Sequence, residues 1–136
     1  MAALAREAAN DPAFVFIIEE NAIGPSSPAD LRYIDLWIRQ RFKYRNEREE
    51  VVRTPQAMIE EWLRTGDFEG DCDDISTLAA AILLVNHLPA TFVAIRWNAD
   101  DPEFKHVFTE SNGYILDATV RPGTEYREIE RIEYVL

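Results

Sequence analysis

The sequence predicts an α+β fold, with N-terminal helices followed by a small antiparallel sheet. Three observations carry that prediction. Apolar residues recur at helical spacing in several segments before residue 86. Runs rich in β-branched and aromatic residues fill much of the chain after it. Asn112-Gly113 separates two of these runs, and Asn-Gly suits a two-residue hairpin turn because both central positions need positive φ. With 136 residues, 47% of them hydrophobic, the chain has the size and apolar content of one ordinary domain.

Residues 1–26 read as an N-terminal helical arm or cover segment, and residues 27–136 as the main domain of a single-domain chain. Asp11 is placed to cap a helix with Pro12 at its first position, although "FVFII" reads equally well as a strand. "NAIGPSSPAD" is the clearest break. Ser27-Pro28 then opens a helix whose buried face is Leu31, Ile34, Trp37 or Ile38, and Phe42. The charged run "KYRNEREEVVR" reads as a solvated connection. Thr54-Pro55 opens the next helix, with Ala57, Met58, Trp62 and Leu63 along it and Gly66 at its end. Behind Cys72, the positions Ile75, Leu78, Ala79, Ile82 and Leu83 form the stripe of a further helix ending near Asn86. The strands are "TFVAIRW", "HVFTE" and "YILDATV", and Trp37, Trp62 and Trp97 are expected in the core.

Composition excludes several functions. Twenty-five acidic against 14 basic residues, a formal charge of −11, leave no basic surface for a nucleic-acid backbone. No apolar run reaches the ~18–20 residues of a membrane span, and "MAALAREAANDPAF" lacks the layout of a secretory signal. The expected location is cytoplasmic or, for a structural protein, the virion. A single cysteine and two histidines make neither an internal disulfide nor a good zinc site. "DCDD" is not a calcium loop, because Ser76 and Ile82 stand where glycine and glutamate are needed. No cofactor or metal is expected.

Three residues remain as a candidate catalytic set: Cys72, His106 and Asp117. If Asn112 and Gly113 are the turn, Ser111 faces Tyr114, Phe108 faces Asp117 and His106 faces Thr119. His106, Phe108 and Asp117 then share a sheet face. His106 and Asp117 are diagonal neighbours at roughly 7–8 Å. A register slip of one residue would turn Asp117 away. Cysteine attack on an amide or ester needs an ionisable thiol, a base beside it and a group that orients the base. A helix start supplies free N–H groups to the thiolate, and the Cys72 N–H is a natural oxyanion donor. The charges of Asp71, Asp73 and Asp74 oppose thiolate formation if close; Asp73 and Asp74 are expected to serve the first helical turn instead. Taken singly, the three residues read as a small packed thiol, a strand histidine and a surface acid.

"GDCDD", "LAAAIL", "NHLPATFV", "HV" and "YILDATV", with "TPQAMIEEWLRTGDFEGDCDD" upstream, resemble the transglutaminase-like superfamily of papain-like folds, in its short bacterial and phage form. The resemblance runs from Leu31 to Val120. It implies a papain-like core with the cysteine at a helix N-terminus and the histidine and aspartate on adjacent strands. In that pattern Cys72 is the nucleophile, His106 the base and Asp117 its orienting partner. Members include cross-linkers, peptidases, deamidating enzymes and inactive relatives. The family usually has Gly-Ile-Pro where this chain has His87-Leu88-Pro89, and Asn86 is assigned the left-handed helix stop instead. Trp62 and Gln56 are the candidates for a second oxyanion donor. The expected function is cysteine-dependent acyl transfer on an amide or peptide bond, as a thiol protease, amidase or cross-linker. Its substrate would be a protein, peptide or cell-wall peptide. The alternative is a non-catalytic structural or assembly protein of a phage particle, partnered by virion proteins.

Overall fold

The computed structural model describes residues 1–23, 31–45, 51–96, 106–126 and 130–136. Helix α1 spans Ala2–Ala9 and α2 spans Pro12–Glu20. The Asp11 carboxylate accepts the Ala13 N–H at 3.0 Å, with Pro12 at the first helical position. "FVFII" is therefore helix, and it buries Phe14 and Ile18 four residues apart while Phe16 stays exposed. Helix α3, Leu31–Arg41, buries Leu31, Ile34, Trp37 and Ile38. Its expected opening at Ser27-Pro28 lies outside the described residues, as does Trp97.

Phe42 leaves the helix to begin strand β1, Phe42–Tyr44, which pairs in parallel with β2, Phe68–Gly70. Part of the run read as a solvated connection is thus a strand; three residues are too few to display alternation. Helix α4, Pro55–Thr65, starts on the Thr54 hydroxyl, which accepts the Ala57 N–H at 3.1 Å, and stops at Gly66 with φ 88°. Its buried residues are Pro55, Met58 and Ile59, while Leu63 is 54% exposed, contrary to expectation. Trp62 meets Trp37 edge-on at 4.9 Å, and the Arg41 guanidinium lies 4.4 Å from the Trp37 ring centre.

Helix α5, Cys72–Val85, is the centre of the fold. Every residue from Asp74 to Leu83 is buried, so the helix has no solvent face where one stripe was expected. Helices α1 and α4 pack against it, and so does the sheet. Small residues on both helices, Ala79–Ala81 on α5 and Ala5 and Ala8 on α1, suit a close approach. At its end His87 adopts the left-handed conformation (φ 58°). Asn86, at φ −85°, instead donates from its side chain to the Ile82 and Ile23 carbonyls.

The sheet contains β3 (Thr91–Arg96), β4 (His106–Ser111), β5 (Tyr114–Leu116) and β6 (Glu130–Val135) in the order β5-β4-β3-β6, with every pairing antiparallel. Asn112 (φ 48°) and Gly113 (φ 80°) make the turn, and Ser111 faces Tyr114, as the hairpin arithmetic requires. The last paired residue is Leu116, so "YILDATV" is a strand for only three residues. Strand β6 was not anticipated: Ile132, Tyr134 and Val135 are all exposed, and such a strand gives no in–out pattern.

Two buried hydrogen bonds lock α5 to the sheet. Ser76 Oγ donates to the Val107 carbonyl at 3.1 Å, and Thr109 Oγ1 donates to the Ser76 carbonyl at 2.8 Å. Ser76 lies one turn after Cys72 on the same helix face, and Val107 follows His106. This lock therefore sets the height of the thiol against the imidazole. Thr109→Val keeps the shape and removes the donor; urea denaturation should show a loss of about 1 kcal/mol. No measurable change would mean that packing alone fixes the helix.

Candidate active site

The local sequence around Cys72 builds a helix cap. Asp71 Oδ1 accepts the N–H groups of Asp73 (3.1 Å) and Asp74 (3.3 Å), and Asp74 Oδ2 accepts the Asp71 N–H at 3.0 Å. This reciprocal pattern satisfies donors that a helix start leaves without intrahelical acceptors. Asp74 Oδ1 also accepts the Arg53 N–H at 2.6 Å, and the Asp74 side chain is wholly buried. Gly70 makes room for it: a Cβ there would stand 2.8 Å from Asp74 Cβ and 2.9 Å from Oδ2. Asp71 and Asp74 thus turn their charge toward backbone N–H groups. Cys72 is the first residue of α5, half-buried, with a free thiol.

His106 opens β4, and its Nε2 lies 2.5 Å from Asp117 Oδ2. Cys72 lies near enough for its side chain to favour the charged form of the same ring. With Nε2 engaged by Asp117, Nδ1 is the nitrogen available to the thiol. The ring packs against Phe108 at 6.0 Å and lies nearly parallel to Tyr126 at 6.1 Å.

Asp117 is one residue past β5 rather than within a strand. Aspartate is disfavoured in strands and favoured where its side chain can bond the backbone two residues on. Here Oδ1 accepts the Thr119 N–H at 3.1 Å and the Thr119 hydroxyl at 2.6 Å, and Oδ2 accepts the Tyr126 hydroxyl at 2.6 Å. Helix α3 holds the turn from below through Arg39. Its Nη2 donates to the Asp117 carbonyl and its Nη1 to the Val120 carbonyl, each at 2.5 Å, while Nε donates to Asp35 Oδ2 at 2.9 Å. A recess of about 270 Å³ adjoins this network, lined by Asp35, Arg39, Tyr114, Val120 and Tyr126 among others; Cys72 and His106 are not in its lining.

Burial by itself pushes the His106 ring toward neutrality. The hydrogen bonds and charges of Asp117 and Cys72 outweigh it and raise the ring from its ordinary 6.5 to about 9. For Asp117, burial favours the neutral acid, but the His106 contact, with Thr119 and Tyr126, holds it below the usual carboxylate value. Tyr44 faces Gly70 across β1–β2, and its phenol is pushed up by burial and then by the charges of Cys72 and Asp71.

Of the two oxyanion candidates, Gln56 is engaged with Asp11. Its Nε2 contacts Asp11 Oδ2 at 3.4 Å, and its buried Oε1 has no partner among the described residues. Trp62 packs on Trp37. Sequence reasoning missed Thr119, Tyr126, Arg39 and Tyr44. Asp-x-Thr is a readable Asx-turn signal, whereas Arg39 reaches Asp117 across 78 positions and no local pattern announces it. Among the described residues no His, Cys, Asp and Glu side chains cluster as a metal site needs, and no helix is long and apolar enough to cross a membrane.

An α+β chain with this site invites comparison with known families. The family model of the transglutaminase-like superfamily matches residues 19–126, and the chain belongs to that superfamily. Cysteine-dependent acyl transfer and hydrolysis are the chemistry at the level of that superfamily. No curated protein and no solved structure matches the chain. The family match begins in the last turn of α2, so α1 and most of α2 lie outside it.

The histidine's raised value fixes the sign of a stability effect. Its folded value of about 9 exceeds its ordinary 6.5, so the stabilisation is full below the lower value and is lost as pH rises through the higher. Wild type should therefore exceed His106→Gln in stability most at pH ~6, with the gap shrinking through pH ~9, as read by urea denaturation across pH. A gap that widens toward high pH would contradict the assignment.

Proposed function

We propose that the chain is a cysteine-dependent acyl-transfer enzyme acting on an amide or peptide bond, with Cys72 as nucleophile, His106 as base and then acid, and Asp117 as the group that orients the imidazole. The observation that carries this reading is the His106 ring, held by the Asp117 carboxylate at 2.5 Å and near enough to Cys72 for that side chain to favour its charged form. Membership of the superfamily supports it.

Deprotonation of the thiol by His106 yields a thiolate beside an imidazolium, and Asp117 stabilises the latter. The sulfur adds to the substrate carbonyl carbon, and the oxygen takes up the negative charge. The Cys72 N–H, at the first position of α5, is a donor for that oxyanion. Collapse of the adduct breaks the C–N bond, and the imidazolium passes its proton to the departing amine. A thioester on Cys72 remains. Water or an amine, deprotonated by His106, then attacks the thioester and regenerates the thiol. Proteins, peptides and cell-wall peptides are the substrate class, with hydrolysis and cross-linking sharing the first half.

Mass spectrometry of the chain after exposure to a peptide-amide library and a cell-wall peptide panel tests this reading. A thioester adduct should appear on Cys72, be absent in Cys72→Ala, and form about 10²–10⁴-fold more slowly in His106→Ala. The rate should decline as pH rises through about 9, where the imidazolium is lost. Equal acylation of His106→Ala would remove the base from the mechanism. Absence of turnover on every substrate, with Cys72→Ser keeping its binding to phage structural proteins, would favour the assembly-protein reading.

A further inference from the structure

We propose that Tyr126 is a positioning residue for the histidine–aspartate pair: its hydroxyl shares Asp117 Oδ2 with the imidazole and moderates the carboxylate's grip on the protonated ring. As far as it concerns catalysis, this rests on the acyl-transfer reading above.

The two oxygens of the Asp117 carboxylate have different partners. Oδ1 is occupied by the Thr119 N–H and hydroxyl, at 3.1 and 2.6 Å. These contacts fix the carboxylate plane without touching the oxygen that faces the ring. Oδ2 meets His106 Nε2 at 2.5 Å and the Tyr126 hydroxyl at 2.6 Å. A neutral donor on the same oxygen disperses its charge and weakens its attraction for a cation. Tyr126 thus does what Thr119 cannot: it acts on the oxygen engaged by the imidazole.

The Tyr126 ring is held where this contact is maintained. It lies 16° from parallel with the His106 ring and 4.8 Å from the Phe108 ring centre. Burial, followed by the Asp117 hydrogen bond and charge, pushes the phenol well above its ordinary value, so it remains a neutral donor throughout the working range. Among the described residues, the other charged or titratable groups acting on the cluster include Cys72, on α5, and Asp35 and Arg39, on α3. Arg39 binds Asp35 and two backbone carbonyls of the Asp117 turn. None of these is a neutral hydroxyl on Oδ2.

Two interpretations of Tyr126 predict opposite signs. If the residue only fills space, its truncation loosens the site and lets the His106 value fall toward that of a free histidine. If it moderates Asp117, removing the hydroxyl alone strengthens the carboxylate's hold and raises that value.

The test follows the His106 ring by NMR against pH in the full chain, with the signal of His87, exposed at the end of α5, as the internal comparison. Tyr126→Phe should move the His106 inflection upward by roughly half to one pH unit. Site-specific 3-fluorotyrosine at position 126, a stronger donor that keeps the ring, should move it downward, and this arm serves if the phenylalanine variant does not fold. An unchanged or lowered inflection in Tyr126→Phe, or an unchanged or raised one with fluorotyrosine, would overturn the proposal. Acylation of Cys72, measured in parallel, should lose its activity at a correspondingly higher pH in Tyr126→Phe. Inflections that move as stated without any acylation would leave the tuning role intact and remove the enzymatic reading. Acylation with unmoved inflections would do the reverse.

Discussion

A carboxylate taken out of water costs several kcal/mol unless each of its oxygens finds donors, and the Asp117 side chain is 1% exposed. Much of the C-terminal half is arranged around that constraint. Thr119 serves one oxygen, and Tyr126 and His106 serve the other. Arg39 fastens the backbone carrying the aspartate to α3. The imidazole is therefore gripped by a group that is itself immobilised on three sides, which suits the base proposed above, whose ring must keep one tautomer and one orientation.

The thiol is placed by a different device. Gly70, Asp71 and Asp74 form a cap, tied also to Arg53, whose carboxylates are spent on backbone N–H groups. This resolves the apparent conflict of a thiol surrounded by acids, since two of those charges are already compensated at the helix start. Ser76 and Thr109 then join the cap's helix to β4. Cysteine and histidine, 34 positions apart, are brought together by one buried helix and one hydrogen-bonded seam.

Local signals in the chain were legible where local physics decides. Asp11-Pro12, Thr54-Pro55 and Gly66 mark helix ends because capping involves only neighbours. Asn112-Gly113 established the hairpin and its register because positive φ at two adjacent positions is a backbone matter. Reading failed where the signal was non-local or too short. The parallel β1–β2 pair has three residues per strand. Leu63 lies on the apolar side of a helical wheel but outside the packed face of α4. Helix α5 is buried all round because it has neighbours on every side, and periodicity cannot count neighbours. At its end, the left-handed residue is His87 rather than Asn86, whose amide is engaged with Ile82 and Ile23.

The class of fold, the hairpin register and the helix start at Cys72 were legible in the sequence alone, because each depends on contacts within a few residues. Only the tertiary structure decided that Asp117 leaves the strand for a turn, that Arg39 braces it from α3, and that Tyr126 joins His106 on a single oxygen. Those are the outcome of satisfying one buried charge with donors drawn from distant parts of the chain, and no spacing rule along a sequence encodes which donors will arrive.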